Sequence, residues 1–171
     1  AAQGPTYDLS SLTVLLSGGA ALSAPLKDEF LAHLPTLMII DGLGSSEAGG
    51  QVSHVSTGGG ATTGTFPLTP GNVVLSAALD AVLDPGDPEV GWLAKTGRLA
   101  LGYLGDPEKK ARTYPIVDGT RYAVPGDRAR LLVDPSGGPG IIELHGRDSV
   151  TINSGGEKIF AEEVEAALMA H

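Results

Sequence analysis

The chain has 171 residues, enough for one ordinary core or for one core and the start of a second. Its 20 acidic residues outnumber 11 basic ones for a net charge of -9, and with no basic run to offset that field the composition argues against a nucleic-acid partner. The absence of cysteine excludes a disulfide scaffold, a thiolate metal site and a cysteine nucleophile and fits a cytoplasmic protein, while no stretch nears the ~20 consecutive apolar residues of a transmembrane span.

Leu12 to Leu16 (LTVLL) is a largely apolar run that ends at Ser17-Gly18-Gly19, which predicts a short buried strand and then a turn. A helix is predicted next. Ser23 can cap it, Pro25 suits its first turn, Leu26, Phe30, Leu31 and Leu34 fall on one side of a 3.6-residue period, and Pro35 ends it. Leu37 to Ile40 reads as a second buried strand that delivers Asp41-Gly42-Leu43-Gly44 to its carboxyl end, where ligands collect in open α/β sheets.

From Gly49 to about Pro88 the pattern becomes β-like, with strands expected at Gln51 to Val55 and Asn72 to Ser76 and a break at Gly58 to Gly60. Val90 to Leu101 predicts two short strands around Thr96-Gly97, and Asp106-Pro107-Glu108 starts a short polar helix bearing Lys109 to Arg112. Arg121 to Val124 and Arg130 to Val133 read as strands flanking Pro125-Gly126-Asp127. Ile141 to Leu144 is a further strand, ending at His145-Gly146-Arg147. Ala161 to Met169 has a helical pattern, with Glu162 and Glu163 in its first turn.

Glu47 follows the second strand by a few residues inside a glycine-serine loop, a position from which a carboxylate can hold Mg²⁺ beside a phosphate, with Ser45 and Ser46 offering hydroxyls. A solvated turn glutamate is the alternative. Gly44-Ser45-Ser46-Glu47-Ala48 also approaches a hydrolase nucleophile elbow, but the following Ala48-Gly49-Gly50-Gln51-Val52 is a poor helix and the elbow requires one. Asp127 closes a Tyr-x-x-Pro-Gly-Asp turn and can accept hydrogen bonds from two adjacent ribose hydroxyls, or, as an Asx turn, satisfy its own backbone. Arg147 could add a ribose or phosphate contact through its planar fork, and Lys158, after Gly155-Gly156, could reach a phosphate or CoA; either can equally be a solvated surface cation. His33, His54, His145 and His171 lack metal-ligand spacing and are assigned no metal, and Trp92 and Tyr103 read as core or strand residues.

The order and spacing of these segments resemble the adenylate-forming superfamily, which includes acyl-CoA synthetases, peptide-synthetase adenylation domains and firefly luciferase. Ser17-Gly18-Gly19-Ala20 is similar to its Gly-Gly-Ala segment, and Gly42-Leu43-Gly44-Ser45-Ser46-Glu47 to its Gly-aromatic-Gly-x-Thr-Glu motif. Gly97 to Ala111 resembles the stretch ending in Gly-Tyr-x-x-x-Pro-Glu-Lys-Thr, Tyr122 to Asp127 the ribose-binding aspartate motif, and Gly146 to Glu165 the hinge and first part of the mobile C-terminal domain. Leu43 stands where the family has an aromatic residue, Ser46 where it has threonine, and Ser149 where it has a charged hinge residue.

The resemblance implies that Asp41 and Gly42 line an adenine pocket, Ser46 contacts the α-phosphate, Glu47 coordinates Mg²⁺, Asp127 and Arg147 hold the ribose, and the loop from Asn153 through Lys158 swings in for thioester formation. It implies an α/β fold of mixed sheets with a β-rich, barrel-like part, in which residues 1–148 are the distal part of the large AMP-binding domain and residues 149–171 the hinge and the beginning of the small one. The upstream phosphate loop and a distal lysine of the family are missing, so the expectation is an inactive fragment of an acyl-CoA synthetase that uses ATP, Mg²⁺ and CoA on a fatty or steroid side-chain acid, with self-association of the incomplete core. A non-catalytic nucleotide-binding module and an acyl-AMP ligase that loads a carrier protein are the alternatives.

Overall fold

The computed structural model describes residues 7–20, 22–148, 152–154, 157–159, 164, 167 and 168. It divides into two compact units, Ala1–Gly42 with Ser53–Thr63 and Leu43–Val52 with Gly64–His171.

The first unit is built on a parallel strand pair joined by a helix. β1 (Val14–Gly18) lies parallel to β2 (Met38–Ser45), with Val14 opposite Met38 and Gly18 opposite Gly42. The crossover is α1 (Ala24–His33), which has Pro25 in its first turn, where a missing N–H costs nothing, and closes with the Leu34 N–H donating to the Phe30 carbonyl at 2.8 Å. Ser23 occupies the N-cap, but its side chain makes no capping hydrogen bond.

Leu31, Leu37 and Ile39 form the buried core of this unit, with Leu12, Leu15, Leu22 and Leu34 packed against it. The helix face differs from the predicted stripe. Leu26 and Phe30 are 41% and 37% exposed, and the most buried residue of α1 is Lys27, at 1%. Its ammonium donates to Asp41 Oδ2 at 2.5 Å and to the Thr62 carbonyl at 2.6 Å, partners that make a charge tolerable where water is excluded. Next to it in the helix, Asp28 Oδ1 accepts from the Ala61 N–H at 3.0 Å, so two neighbouring helix residues hold the segment Ala61–Thr62.

β2 does not stop at Ile40 as the apolar run suggests. It continues through Asp41, Gly42, Leu43 and Gly44 to Ser45, because its pairing with β1 persists to Gly42 and a turn at residues 46–48 then leads into β3 (Gly49–Ser56). The three strands are ordered β1-β2-β3.

The second unit is organised by an open five-stranded sheet. It comprises β4 (Thr65–Pro67), β5 (Asn72–Leu75), β6 (Gly91–Lys95), β9 (Asp127–Leu132) and β10 (Ile141–Arg147), in the order β4-β10-β9-β6-β5, every pairing antiparallel. Strand alternation sorts its apolar residues into two groups. Val74, Leu93, Ala129, Leu131 and Ile142 join Val52, Phe66 and Leu83 in one cluster, while Leu75 and Ala94 join Val117, Tyr122 and Val124 in another. The β-rich part is thus an open sheet accompanied by short ribbons, and the described residues contain no closed barrel.

Between these strands lie α2 (Pro107–Thr113), whose N-cap Asp106 accepts from the Lys109 N–H at 2.8 Å, and the ribbon of β7 (Ile116–Val117) and β8 (Thr120–Arg121). The second strand expected after Gly97 is absent; there the Arg121 guanidinium donates to the carbonyls of Ala100 and Leu101, at 2.8 and 3.3 Å. β4 and β7, three and two residues long, escape a reading based on periodicity. β11 (Ile152–Ser154) pairs antiparallel with β12 (Glu157–Ile159); Val164, Ala167 and Leu168 are helical, and the rest of the helix predicted for Ala161 to Met169 lies outside the described residues. No described helix is long and apolar enough to cross a membrane.

Replacing Lys27 by Met leaves Asp41 without its cation, and we expect a loss of about 3–5 kcal/mol, with much of it recovered in a Lys27→Met/Asp41→Leu double variant. Urea unfolding of the variants checks this; a Lys27→Met midpoint equal to that of the parent would show the pair to be dispensable.

Candidate functional site

The β2–β3 turn carries Ser46 and Glu47, and its shape is enforced locally. At Gly44 an added Cβ would lie 2.6 Å from the Gly49 carbonyl oxygen, so the two arms meet too closely for any side chain there. Ser45 Oγ accepts from the Ala48 N–H at 3.1 Å and closes the turn. Because a strand rather than a helix follows, the nucleophile-elbow reading is excluded. Ser46 is exposed and Ala48 is buried, which leaves Glu47 half-buried between them.

Ala48 belongs to a small cluster with Tyr114 and Ala123, against which Leu99 and Tyr103 pack. Tyr103 is the residue that the sequence reading missed. Its hydroxyl donates to Glu47 Oε1 at 2.6 Å, the short distance of a charge-assisted bond. That bond holds the Glu47 carboxyl below its ordinary pKa, with partial burial opposing and Ser45 and the Lys109 charge assisting. The same contact, after burial, raises the Tyr103 phenol, and burial likewise raises Tyr114. The Lys109 ammonium sits 4.0 Å from the Tyr103 ring centre and the Arg121 guanidinium 4.4 Å from that of Tyr114, and the two rings are 6.2 Å apart at 51°. The signal that could have found Tyr103 was its place in the Gly-Tyr stretch before Pro107-Glu108-Lys109.

Asp127 is the first residue of β9 and is 4% exposed. Gly126, at φ 109°, makes the approach with a backbone that L side chains disfavour. Across the sheet a bulge between Leu144 and Gly146 shifts the β10 register so that Arg147 lies opposite Asp127, and Arg147 Nε donates to Asp127 Oδ1 at 3.0 Å. Asp127 Oδ2 is buried and has no hydrogen-bond partner. A carboxylate oxygen in that condition costs free energy until a donor reaches it, so it can accept a hydrogen bond from a hydroxyl or a water. The next residue, Arg128, is also buried, stacked 4.1 Å from the Trp92 ring centre, with Nη2 donating to the Val90 carbonyl at 2.6 Å; burial lowers its pKa.

Two groupings of expected site residues are therefore realised in the second unit: Ser46 with Glu47, and Asp127 with Arg147. Asp41 and Gly42 belong to the first unit, where the Asp41 carboxylate is paired with Lys27 and Gly42 is exposed. Lys158 lies in β12, and Ser149 falls outside the described residues. Among the described residues no group of three or more His, Cys, Asp or Glu side chains converges on a metal position.

The chain is 52% identical over 164 residues to the medium-chain acyl-CoA ligase Mig of Mycobacterium avium, a match that covers 96% of this chain and 29% of that protein. It is 44% identical over 169 residues to a medium/long-chain-fatty-acid–CoA/3-oxocholest-4-en-26-oate–CoA ligase of Mycolicibacterium smegmatis, covering 98% of this chain and 30% of that one. The chain thus spans under a third of the length of the curated relatives it matches. Among solved structures, ATP-bound MatB from Rhodopseudomonas palustris shares the fold with a TM-score of 0.67 and 24% identity, over 91% of this chain and 29% of that one. No family model matches the sequence.

Glu47 contributes stability that is present above its unfolded pKa and is lost as pH falls through its lower folded value, because protonation removes the charged acceptor of the Tyr103 bond. We expect the Glu47 carboxyl carbon, followed by NMR, to titrate below the usual glutamate range and to move upward in Tyr103→Phe. An unmoved titration curve would show that the bond does not govern the carboxylate.

Proposed function

We propose that this chain, a homologue of one segment of the acyl-CoA ligases in the adenylate-forming superfamily, holds the ribose and α-phosphate side of an ATP site in an enzyme that activates a carboxylic acid and passes it to CoA. Residues 1–148 are read as the distal part of the large nucleotide-binding domain and residues 149–171 as the hinge and the beginning of the small one. Sequence identity of 52% and 44% to CoA ligases supports the reaction class, and the fatty-acid and steroid-acid names of those relatives support an acid of that kind as substrate.

The observation that carries the reading is Asp127. One of its oxygens is held by Arg147, and the other is buried without a donor, ready to accept from a ribose hydroxyl. Arg147, 51% exposed, carries the planar guanidinium fork that suits a sugar hydroxyl or a phosphate. Ser46, exposed on the β2–β3 turn, offers a hydroxyl to an α-phosphate oxygen.

A single carboxylate fits Mg²⁺ well, since that ion characteristically keeps its waters and takes one or two protein carboxylates beside substrate phosphates. Glu47 would hold it, and when bound it would neutralise charge on the phosphates. Around it the chain's own residues position and orient: the turn fixed by Ser45 presents Ser46 and Glu47 together, and Asp127 with Arg147 sets the sugar.

In the reaction so assisted, a carboxylate oxygen of the acid attacks the α-phosphorus in line, the bond to the β-phosphate oxygen breaks, and pyrophosphate leaves. The CoA sulfur then attacks the acyl carbonyl of the mixed anhydride, losing its proton, and AMP departs. The segment from Asn153 through Lys158, whose described residues lie in β11 and β12, is proposed to approach for this second half.

Acid-dependent exchange of pyrophosphate into ATP, measured on the full-length polypeptide that contains this chain with a panel of fatty, aromatic and steroid acids, tests the reading. Glu47→Ala and Asp127→Ala should each reduce exchange by roughly 10- to 100-fold or more. A folded protein that binds ATP and exchanges with no acid would point to a non-catalytic nucleotide-binding module, and exchange without thioester formation to an acyl-AMP ligase serving a carrier protein.

A further inference from the structure

We infer that Tyr103 is a positioning residue for Glu47, fixing one carboxylate oxygen so that the other faces a nucleotide-bound divalent cation; this rests on the reading of Glu47 given above. The Tyr103 hydroxyl donates to Glu47 Oε1 at 2.6 Å across 56 residues of sequence, so the bond is made by the fold and not by a local turn. A glutamate side chain at a turn has three rotatable bonds and gains most in precision from one short contact to an immobile donor.

The donor is immobile. The Tyr103 ring packs in the cluster of Ala48, Tyr114 and Ala123, and the Lys109 ammonium, 4.0 Å from its centre, belongs to a helix pinned at its start by Asp106. Its partner turn is pinned as well, through Ala48 in the same cluster. The arrangement has the form of a metal-site outer shell, in which a ligating carboxylate is itself hydrogen-bonded. Tyr103 acts through Glu47 and is not assigned any contact with substrate.

Binding of Mn²⁺·ATP to the full-length polypeptide, read by solvent proton relaxation, supplies the test. Tyr103→Phe keeps the ring and removes the hydroxyl, and we expect it to weaken Mn²⁺·ATP binding about tenfold. Binding of ATP in the presence of EDTA should stay unchanged, as should Mn²⁺·ATP binding by Tyr114→Phe, which removes a neighbouring hydroxyl from the same cluster. In a Glu47→Gln background the effect of Tyr103→Phe should vanish. Equal affinities for Tyr103→Phe and the parent, or an equal loss in the Glu47→Gln background, would overturn the inference.

A measurement on the unmutated protein guards against a variant that fails to fold. With selective ¹³C labels, Mn²⁺·ATP should broaden both the Glu47 carboxyl and the Tyr103 ring resonances. Broadening of Glu47 without Tyr103 overturns the inference and leaves the function standing, whereas a sharp Glu47 signal removes the assignment of Glu47 to the metal and the inference with it.

Discussion

The antiparallel pairing of β9 with β10 is the constraint on which the second unit and its site depend. Leu131 and Ile142 meet in the core from paired positions, and the same register, after one bulge, sets Arg147 beside Asp127. Without the bulge the alternation of the strand would turn the Arg147 side chain to the opposite face. Asp127 and Arg128 are consecutive strand residues, so they point to opposite faces, and each is buried with a different partner: a guanidinium for the carboxylate, an indole ring and a carbonyl for the guanidinium. Burying two charges side by side in sequence is tolerated because the sheet separates them.

The same sheet reaches the Glu47 turn through short links. Lys95, the last residue of β6, bridges to Ala123 through two backbone hydrogen bonds of 3.0 and 2.7 Å, and its ammonium donates to the Gly50 carbonyl at the start of β3. Ala123 is fully buried beside Ala48 and Tyr114. A displacement of β6 would consequently be felt at Ala48 and so at its neighbour Glu47. Small residues carry this contact, since Ala48 and Ala123 leave room for the two tyrosine rings, and a larger side chain at either position would push against a packed cluster.

What was legible in the sequence followed periodicity and turn chemistry. Leu12 to Leu16, Leu37 to Ile40 and Ile141 to Leu144 are largely apolar segments with glycine or proline close by, and each lies within or overlaps a strand, although Val14 and Leu16 of β1 are exposed and not buried as expected. Asp127 was legible as a candidate from its Pro-Gly-Asp turn and Arg147 from its planar fork and its place in the order of segments, but their mutual contact was not, since it depends on a bulge that no local pattern encodes. Lys27 was hidden by the apolar neighbours that define the helix face, because its burial is decided by Asp41 and Thr62, 14 and 35 residues away. Tyr103 was hidden for the same reason, as a phenol reads as core until its distant acceptor is known.

On the proposed reading, an acidic chain that handles an anionic nucleotide has to supply positive charge locally, and in the second unit Arg147, Arg121, Arg128 and Lys109 already have structural work. Arg147 is engaged with Asp127, Arg121 lies over Tyr114 and holds the carbonyls of Ala100 and Leu101, and Arg128 is buried against Trp92. Lys109, held over Tyr103, lends its charge to Glu47 from a distance. Commitments of this kind give precise geometry and leave limited charge for phosphates. On the proposed reading the balance falls to a divalent cation, and the value of a carboxylate kept ionised by a phenol lies there: Glu47 stays negative at neutral and mildly acidic pH, so it can attract the ion that the nucleotide also needs. The loss of that charge through protonation would remove the attraction and the Tyr103 acceptor together, which couples the stability of the turn to the same carboxylate that the chemistry would use.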